Sequence, residues 1–268
     1  MYGNLFHYTD VGAVRSILEK CELWLTDIRF LNDSQELNEG VAHVLEELAS
    51  DSYNEGFLEG AREMLLSEMG VHVSHYVNIE PTFVCSFSQA RDALSQWRAY
   101  GDYAIEFDSE IMDIALFQCI YDEGGKRREI ESMVSSALYG VAAECIDNEG
   151  AFGPESVQYL ETLVRVASTI KNQSFNEEKE VRCLVDVLLP SDLLKFREKS
   201  GVLIPYVVEK IPFEAIKAIH IGPMRNQELA FTAMKAFVSS LRYRRVSELG
   251  NIDHKIDVVM SNIPYRAL

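Results

Sequence analysis

Between Lys171 and Val187 the chain reads K-N-Q-S-F-N-E-E-K-E-V-R-C-L-V-D-V, its densest charge chemistry, and from Glu178 to Val185 polar–apolar alternation gives way to a wholly apolar run. A strand entering a core has this signature, because side chains two apart point to one face. Same-face neighbours have backbones roughly 6–7 Å apart, so Glu178, Glu180 and Arg182 are expected to project together. Two readings of that row stay open. One is a catalytic carboxylate supported by a second, with the arginine fixing both; the other is a solvated ion-pair ladder on an exposed sheet face, worth little to stability.

Further strands are read at Leu5 to Asp10, Leu23 to Leu25, Thr82 to Ser88, Tyr103 to Asp108, Phe117 to Tyr121, Ile216 to Ile221 and Asp257 to Tyr265. Val202 to Val208 joins them, with Pro205 marking an edge or bulge position. Val71 to Val77 also alternates, which sets His72 and His75 on opposite faces and argues against a metal site at that H-x-x-H pair. Helical spacing runs from Asp10 to Cys21, from an Asp33/Glu36 capping box through Leu48, over 50–70 with interruptions at Gly56 and Gly60, over Asp92 to Tyr100, and from Asn226 to Leu241. Pro190 to Phe196 reads as a turn. Residues 124–172 form two helical segments broken near Asn148 to Pro154, and strands precede and follow them. That order predicts one α+β domain over 1–268 with a helical insertion at about 124–172.

The formal charge of −17 argues against broad attraction to a nucleic-acid backbone, which needs a basic surface, and leaves room for a basic protein partner. Five scattered cysteines without a C-x-x-C pair suit reduced core thiols, and the sequence predicts no metal site. No run approaches the ~20 apolar residues of a membrane span, and the start lacks a secretion signal, so the expected location is cytoplasmic and away from membranes.

His7 falls at a strand end just before a helix N-terminus, a place that favours ligands as well as structural histidines. Trp97 and Tyr100, three apart, share a helix face suited to core packing or to stacking on a planar ligand. Arg29, Asn32 and Asp33 suffice to order the turn they occupy. There is no G-x-G-x-x-G turn and no P-loop, and Gly222-Pro223 before a helix is only a weak phosphate signal.

Taken in order, H-Y-T (His7 to Thr9), F-L-N-D (Phe30 to Asp33), C-S-F-S (Cys85 to Ser88), W-x-x-Y-G (Trp97 to Gly101), K-x-x-x-F-x-x-E-x-E-x-R (Lys171 to Arg182) and I-G-P (Ile221 to Pro223) resemble a family of bacterial and phage proteins of unassigned function. That family is grouped with ADP-ribosyltransferase-like folds, and the resemblance spans nearly the whole chain. It implies a mixed, mostly antiparallel sheet with surrounding helices, and NAD as substrate. Glu180 would be the catalytic glutamate and Glu178 its partner, while His7 would hydrogen-bond the ribose or the nicotinamide side. Tyr8, Thr9, Trp97 and Tyr100 would complete the nucleotide site, with Arg29 and Ser86 or Ser88 as counterparts of an arginine-class site. The chain carries features of both the histidine and the arginine class and matches neither cleanly.

The resulting expectation is an ADP-ribosyltransferase-like enzyme, a bacterial toxin or phage-defence effector, that breaks the nicotinamide–ribose bond and modifies a protein or nucleic-acid acceptor. A glycosidase or nuclease using Glu178 and Glu180 as acid and base is one rival. A non-enzymatic acidic interaction protein is the other.

Overall fold

The structure is a computed structural model that describes residues 2–31, 35–53, 56–79, 81–148, 153–249 and 254–264. Its N-terminal half contains β1 (Asn4–Thr9), α1 (Val11–Lys20), β2 (Glu22–Asp27), α2 (Gln35–Leu48), α3 (Glu59–Ile79), β3 (Thr82–Ser88), α4 (Leu94–Tyr100), β4 (Tyr103–Asp108) and β5 (Leu116–Gln118). There follow α5 (Glu123–Asp147), α6 (Pro154–Ala167), β6 (Glu180–Asp186), β7 (Lys195–Lys199), β8 (Val202–Lys210), β9 (Ile216–Ile221), α7 (Gln227–Leu249) and β10 (Asp257–Met260).

The strands form one open sheet in the order β10-β9-β4-β1-β3-β2-β8-β7, with β6 laid against β3 and β5 against β6. Every pairing of named strands is antiparallel except β10 with β9. The α+β class and the mostly antiparallel sheet thus agree with expectation.

One face of the sheet carries Leu5, Leu23, Leu25, Phe83, Cys85, Phe87, Val181 and Cys183 and is covered by α1 and α7 through Val14, Ile17, Leu18, Met234, Val238 and Leu241. The other face presents Val84 and Leu184 to a helical layer built from α2, α3, α5 and α6. Residues 124–172 therefore do not stand by themselves: α5 and α6 share their apolar core with the two earlier helices. Gly40 on α2 allows a close approach, since a Cβ there would collide with the backbone carbonyl of Ala167 at the end of α6. No helix among the described residues is long and apolar enough to cross a membrane.

Several local expectations are corrected. Val71 to Val77 belongs to α3 rather than to a strand, so the opposite-face argument about His72 and His75 does not apply. Glu178 ends a 3-10 turn (Gln173–Glu178), and Lys179 adopts a left-handed conformation before β6 begins at Glu180. The expected turn over Pro190 to Phe196 gives way at Lys195 to β7, which pairs with β8. Pro205 lies inside β8 without breaking its pairing to β2, because that ladder ends at Thr26 opposite Tyr206, one residue short of the proline. The closing strand stops at Met260. The Asp33 cap, and Asn32 beside it, lie outside the described residues.

Candidate functional site

The sheet parts at β3. One edge of β3 is paired along its whole length with β6, from Thr82 opposite Asp186 to Ser88 opposite Glu180. On the other edge β2 pairs only at Phe83 and Val84, and β1 only at Ser88. Between these contacts β1 and β2 diverge, and a cleft of about 560 Å3 opens, within the ~300–1,000 Å3 range of small-molecule sites. His7, Tyr8, Thr9, Ser86, Ser88, Tyr100, Glu178 and Glu180, eight of the ten residues singled out from the sequence, line it.

Register explains which side chains meet. Ser88 is opposite Glu180 and Ser86 opposite Arg182, while Phe6 is opposite Ser88, so these side chains share the face that also holds Val84 and the helical layer. His7 points to the other face, beside Phe87 and Cys85, with its Nδ1 2.9 Å from the Ser86 carbonyl oxygen. It reaches the cleft because no strand pairs with Ser86 on that edge of β3. Burial lowers the His7 pKa; the Ser86 carbonyl opposes this more weakly and nearby Arg197 adds to the lowering, so the ring is neutral at pH 7.

The charged row is neither solvated nor a simple ladder. Lys171, Glu180 and Arg182 are 2%, 5% and 3% exposed, which removes the reading of a surface ion-pair ladder. Lys171 Nζ donates to Glu178 Oε2 at 2.5 Å and to Glu180 Oε2 at 2.7 Å. Arg182 donates through Nε to Glu180 Oε1 at 2.8 Å and through Nη2 to Oε2 at 3.1 Å, while its Nη1 bonds the Ser168 carbonyl at 2.7 Å. Burial alone would raise the Glu180 pKa, but Arg182 and Lys171 outweigh it and hold the carboxyl at about 2. Glu180 is thus an anion throughout the physiological range.

Glu178 arrives by a different route from the expected strand. Ser88 Oγ donates to its carbonyl oxygen at 2.5 Å, which ties the 3-10 turn to the end of β3. The carboxylate then accepts from Lys171 and, at 3.2 Å, from the Tyr100 hydroxyl. Burial, reinforced by Glu178, pushes the Tyr100 pKa up, so the phenol stays protonated and remains a donor. Lys171 is placed by backbone: its N–H donates to Ile120, and Ile120 N–H to Thr169, across a short bridge beyond β5.

Two predicted residues lie apart from this group. Arg29 is engaged with Asp27, which accepts from its backbone N–H, Nε and Nη2, and it does not line the cleft. Trp97 packs edge-on against Tyr8 under Gly222 and donates to Asp92, a core role. Tyr8 lines the cleft, but its hydroxyl is committed to Ala90 and Ala93. Conversely, Lys171, Gln96 and Arg197 line the cleft and are not among the site residues expected from the sequence. Lys171 stands at the head of the charge-dense stretch and of its K-x-x-x-F-x-x-E-x-E-x-R block, which is its signal in the sequence. Gln96, one helical turn before Tyr100 and 4% exposed, has a buried Nε2 with no hydrogen-bond partner among the described residues, a donor available to a ligand.

All five cysteines are free, and Cys85 stands directly opposite Cys183 across β3 and β6. Burial raises both thiols, Cys183 to about 12, so neither is a nucleophile at neutral pH. Among the described residues no cluster of three or more His, Cys, Asp or Glu is arranged to hold a metal. No family model, no curated protein and no solved structure matches the chain.

Proposed function

We propose that the cleft binds NAD and that the protein is an ADP-ribosyltransferase-like enzyme, acting as a toxin or phage-defence effector on a macromolecular acceptor. The observation that carries this reading is that His7 and the Glu178–Glu180 pair, remote in sequence, line one cavity where β1 and β2 part. In the reaction the bond between the ribose anomeric carbon and the nicotinamide nitrogen breaks, its electron pair leaving with nicotinamide. Positive charge develops on the ribose, and a fixed anion preorganised beside it favours the transition state.

Glu180 suits the part of fixed anion, because its ionisation is secured by Arg182 and Lys171. The same property argues against the glycosidase or nuclease alternative with Glu180 as general acid, which needs a proton to give. Neutral His7 would hydrogen-bond the sugar or the carboxamide without adding a cation that opposes charge development. Glu178 and the more exposed Tyr100 would face the acceptor, whose nucleophile bonds to the anomeric carbon as its proton passes to a nearby base.

The test is nicotinamide release from labelled NAD, with and without cell lysate as acceptor. Release is expected from the wild type, with a loss of about 100-fold or more in Glu180→Gln, in keeping with removal of one electrostatic stabiliser. Absence of both nicotinamide release and labelled acceptor would sink the reading. A Glu180→Gln protein that is folded by circular dichroism and fully active would remove the role assigned to Glu180.

A further inference from the structure

β7 contributes Arg197 and Lys199 to the lining of the same cleft; Arg197 bonds Thr26, which stands opposite Val84, whereas Glu180 stands opposite Ser88, four residues further along β3. Arg197 is braced from below. Its guanidinium lies 5.7 Å from the Trp24 ring centroid and 5.9 Å from that of Tyr206, two rings stacked at 4.6 Å. Its Nη2 donates to Thr26 Oγ1 at 2.7 Å. Thr26 and Tyr206 are opposite one another in the β2–β8 ladder, so the brace belongs to the sheet itself.

The Arg197 guanidinium has no carboxylate partner among the described residues, in contrast to Arg182, and its buried Nε has no hydrogen-bond partner. Glu22 and Glu198 also line the cleft, yet neither forms an ion pair with it. A buried, unpaired guanidinium N–H is costly unless something accepts from it. A planar fork held on aromatic faces is the geometry that grips phosphate in two parallel bonds.

We infer that Arg197 is the anchor of an anion subsite that takes the phosphate groups of a nucleotide-type ligand, in the same cleft as Glu178 and Glu180. The cleft is then polarised: donors for phosphate at β7, and acceptors for sugar hydroxyls at β6 and the 3-10 turn. The identity of the ligand as a nicotinamide dinucleotide rests on the function proposed above; the anion subsite rests on Arg197 alone.

Isothermal titration of the full chain with inorganic pyrophosphate, ADP-ribose, NAD and nicotinamide riboside tests both separately. Pyrophosphate and ADP-ribose are expected to bind the wild type and to bind Arg197→Gln about 10- to 100-fold more weakly, the worth of a charge-assisted hydrogen bond or two. Nicotinamide riboside, which has no phosphate, is expected to bind both proteins alike. If Arg197→Gln unfolds, Arg197→Lys, which keeps the charge but loses the fork, decides: weaker pyrophosphate binding supports the subsite and unchanged binding overturns it. The subsite is also overturned if neither pyrophosphate nor ADP-ribose binds the wild type, or if Arg197→Gln binds both as tightly. Arg197-dependent binding of those two with none of NAD or nicotinamide riboside would keep the subsite and discard the nicotinamide reading.

Discussion

At the scale of single residues, the buried group around Glu180 joins two cations to two carboxylates, and its energetics depend on completeness. Removing one member of a buried ion pair leaves an uncompensated charge and typically costs about 3–5 kcal/mol. The Glu180 carboxyl, ordinarily near 4.5, is held at about 2 in the fold. A depressed carboxyl contributes stability that is fully present above its unfolded pKa and disappears as pH falls through the folded one. The contribution is on the order of 3 kcal/mol for a shift of this size. Urea unfolding of the wild type and Glu180→Gln should therefore show a stability gap at pH 6 that narrows as pH drops from 4.5 towards 2. A gap that does not change over that window would mean Glu180 is not held as an anion. At this scale the sequence was half legible. Glu180 and Arg182 stand two apart on a strand, a spacing that announces a shared face, whereas Lys171 reaches them through a backbone bridge at Ile120 that no periodicity encodes. Gln96 and Arg197 owe their interest to missing partners, which only three dimensions reveal.

At the scale of elements, strands that bury both faces were readable and charged or edge elements were not. Thr82–Ser88, Tyr103–Asp108 and Ile216–Ile221 have the bounds expected from their patterns. Each is rich in apolar or β-branched residues, and Pro81, Gly101 and Gly222 mark the start of the first two and the end of the third. β7, reading Lys-Phe-Arg-Glu-Lys at the sheet edge, shows no apolar alternation to find, since only β8 pairs with it. The C-terminal half of α3 alternates like a strand yet is helical, tertiary context overriding local pattern. The helical layer also positions the site, because α6 ends at Ala167 and the next residues carry the Ser168 carbonyl that Arg182 grips and then Lys171. Gly40→Ala, whose Cβ would meet the Ala167 carbonyl, should cost about 1–3 kcal/mol and lower the melting temperature by roughly 2–10 °C. Gly60→Ala makes the control: nothing lies within 4 Å of its Cβ position in α3, so the melting temperature should hold or rise. Equal melting of the two variants would show that α2 and α6 are not in close contact at Gly40.

At the scale of the whole molecule, a formal charge of −17 surrounds a cleft whose proposed ligand is itself anionic. Long-range repulsion and local attraction then oppose each other, and salt separates them. The Debye length shrinks from ~30 Å at 0.01 M to ~8 Å at 0.15 M, which screens the distant surface charge while a contact inside the cleft is screened much less. ADP-ribose, with its two phosphates, should accordingly associate faster as ionic strength rises over that range, its dissociation rate changing little. A basic acceptor protein should behave in the opposite sense, since the acidic surface steers it inward and screening removes that steering. Stopped-flow association of ADP-ribose across this salt range measures the first effect. Slowing instead of acceleration would mean that the field at the cleft mouth is set by Arg197 and Lys199 rather than by the net charge. The molecule would then draw its nucleotide in by the basic residues of β7, and Lys199→Gln should reduce the salt dependence while Arg197 keeps the remainder.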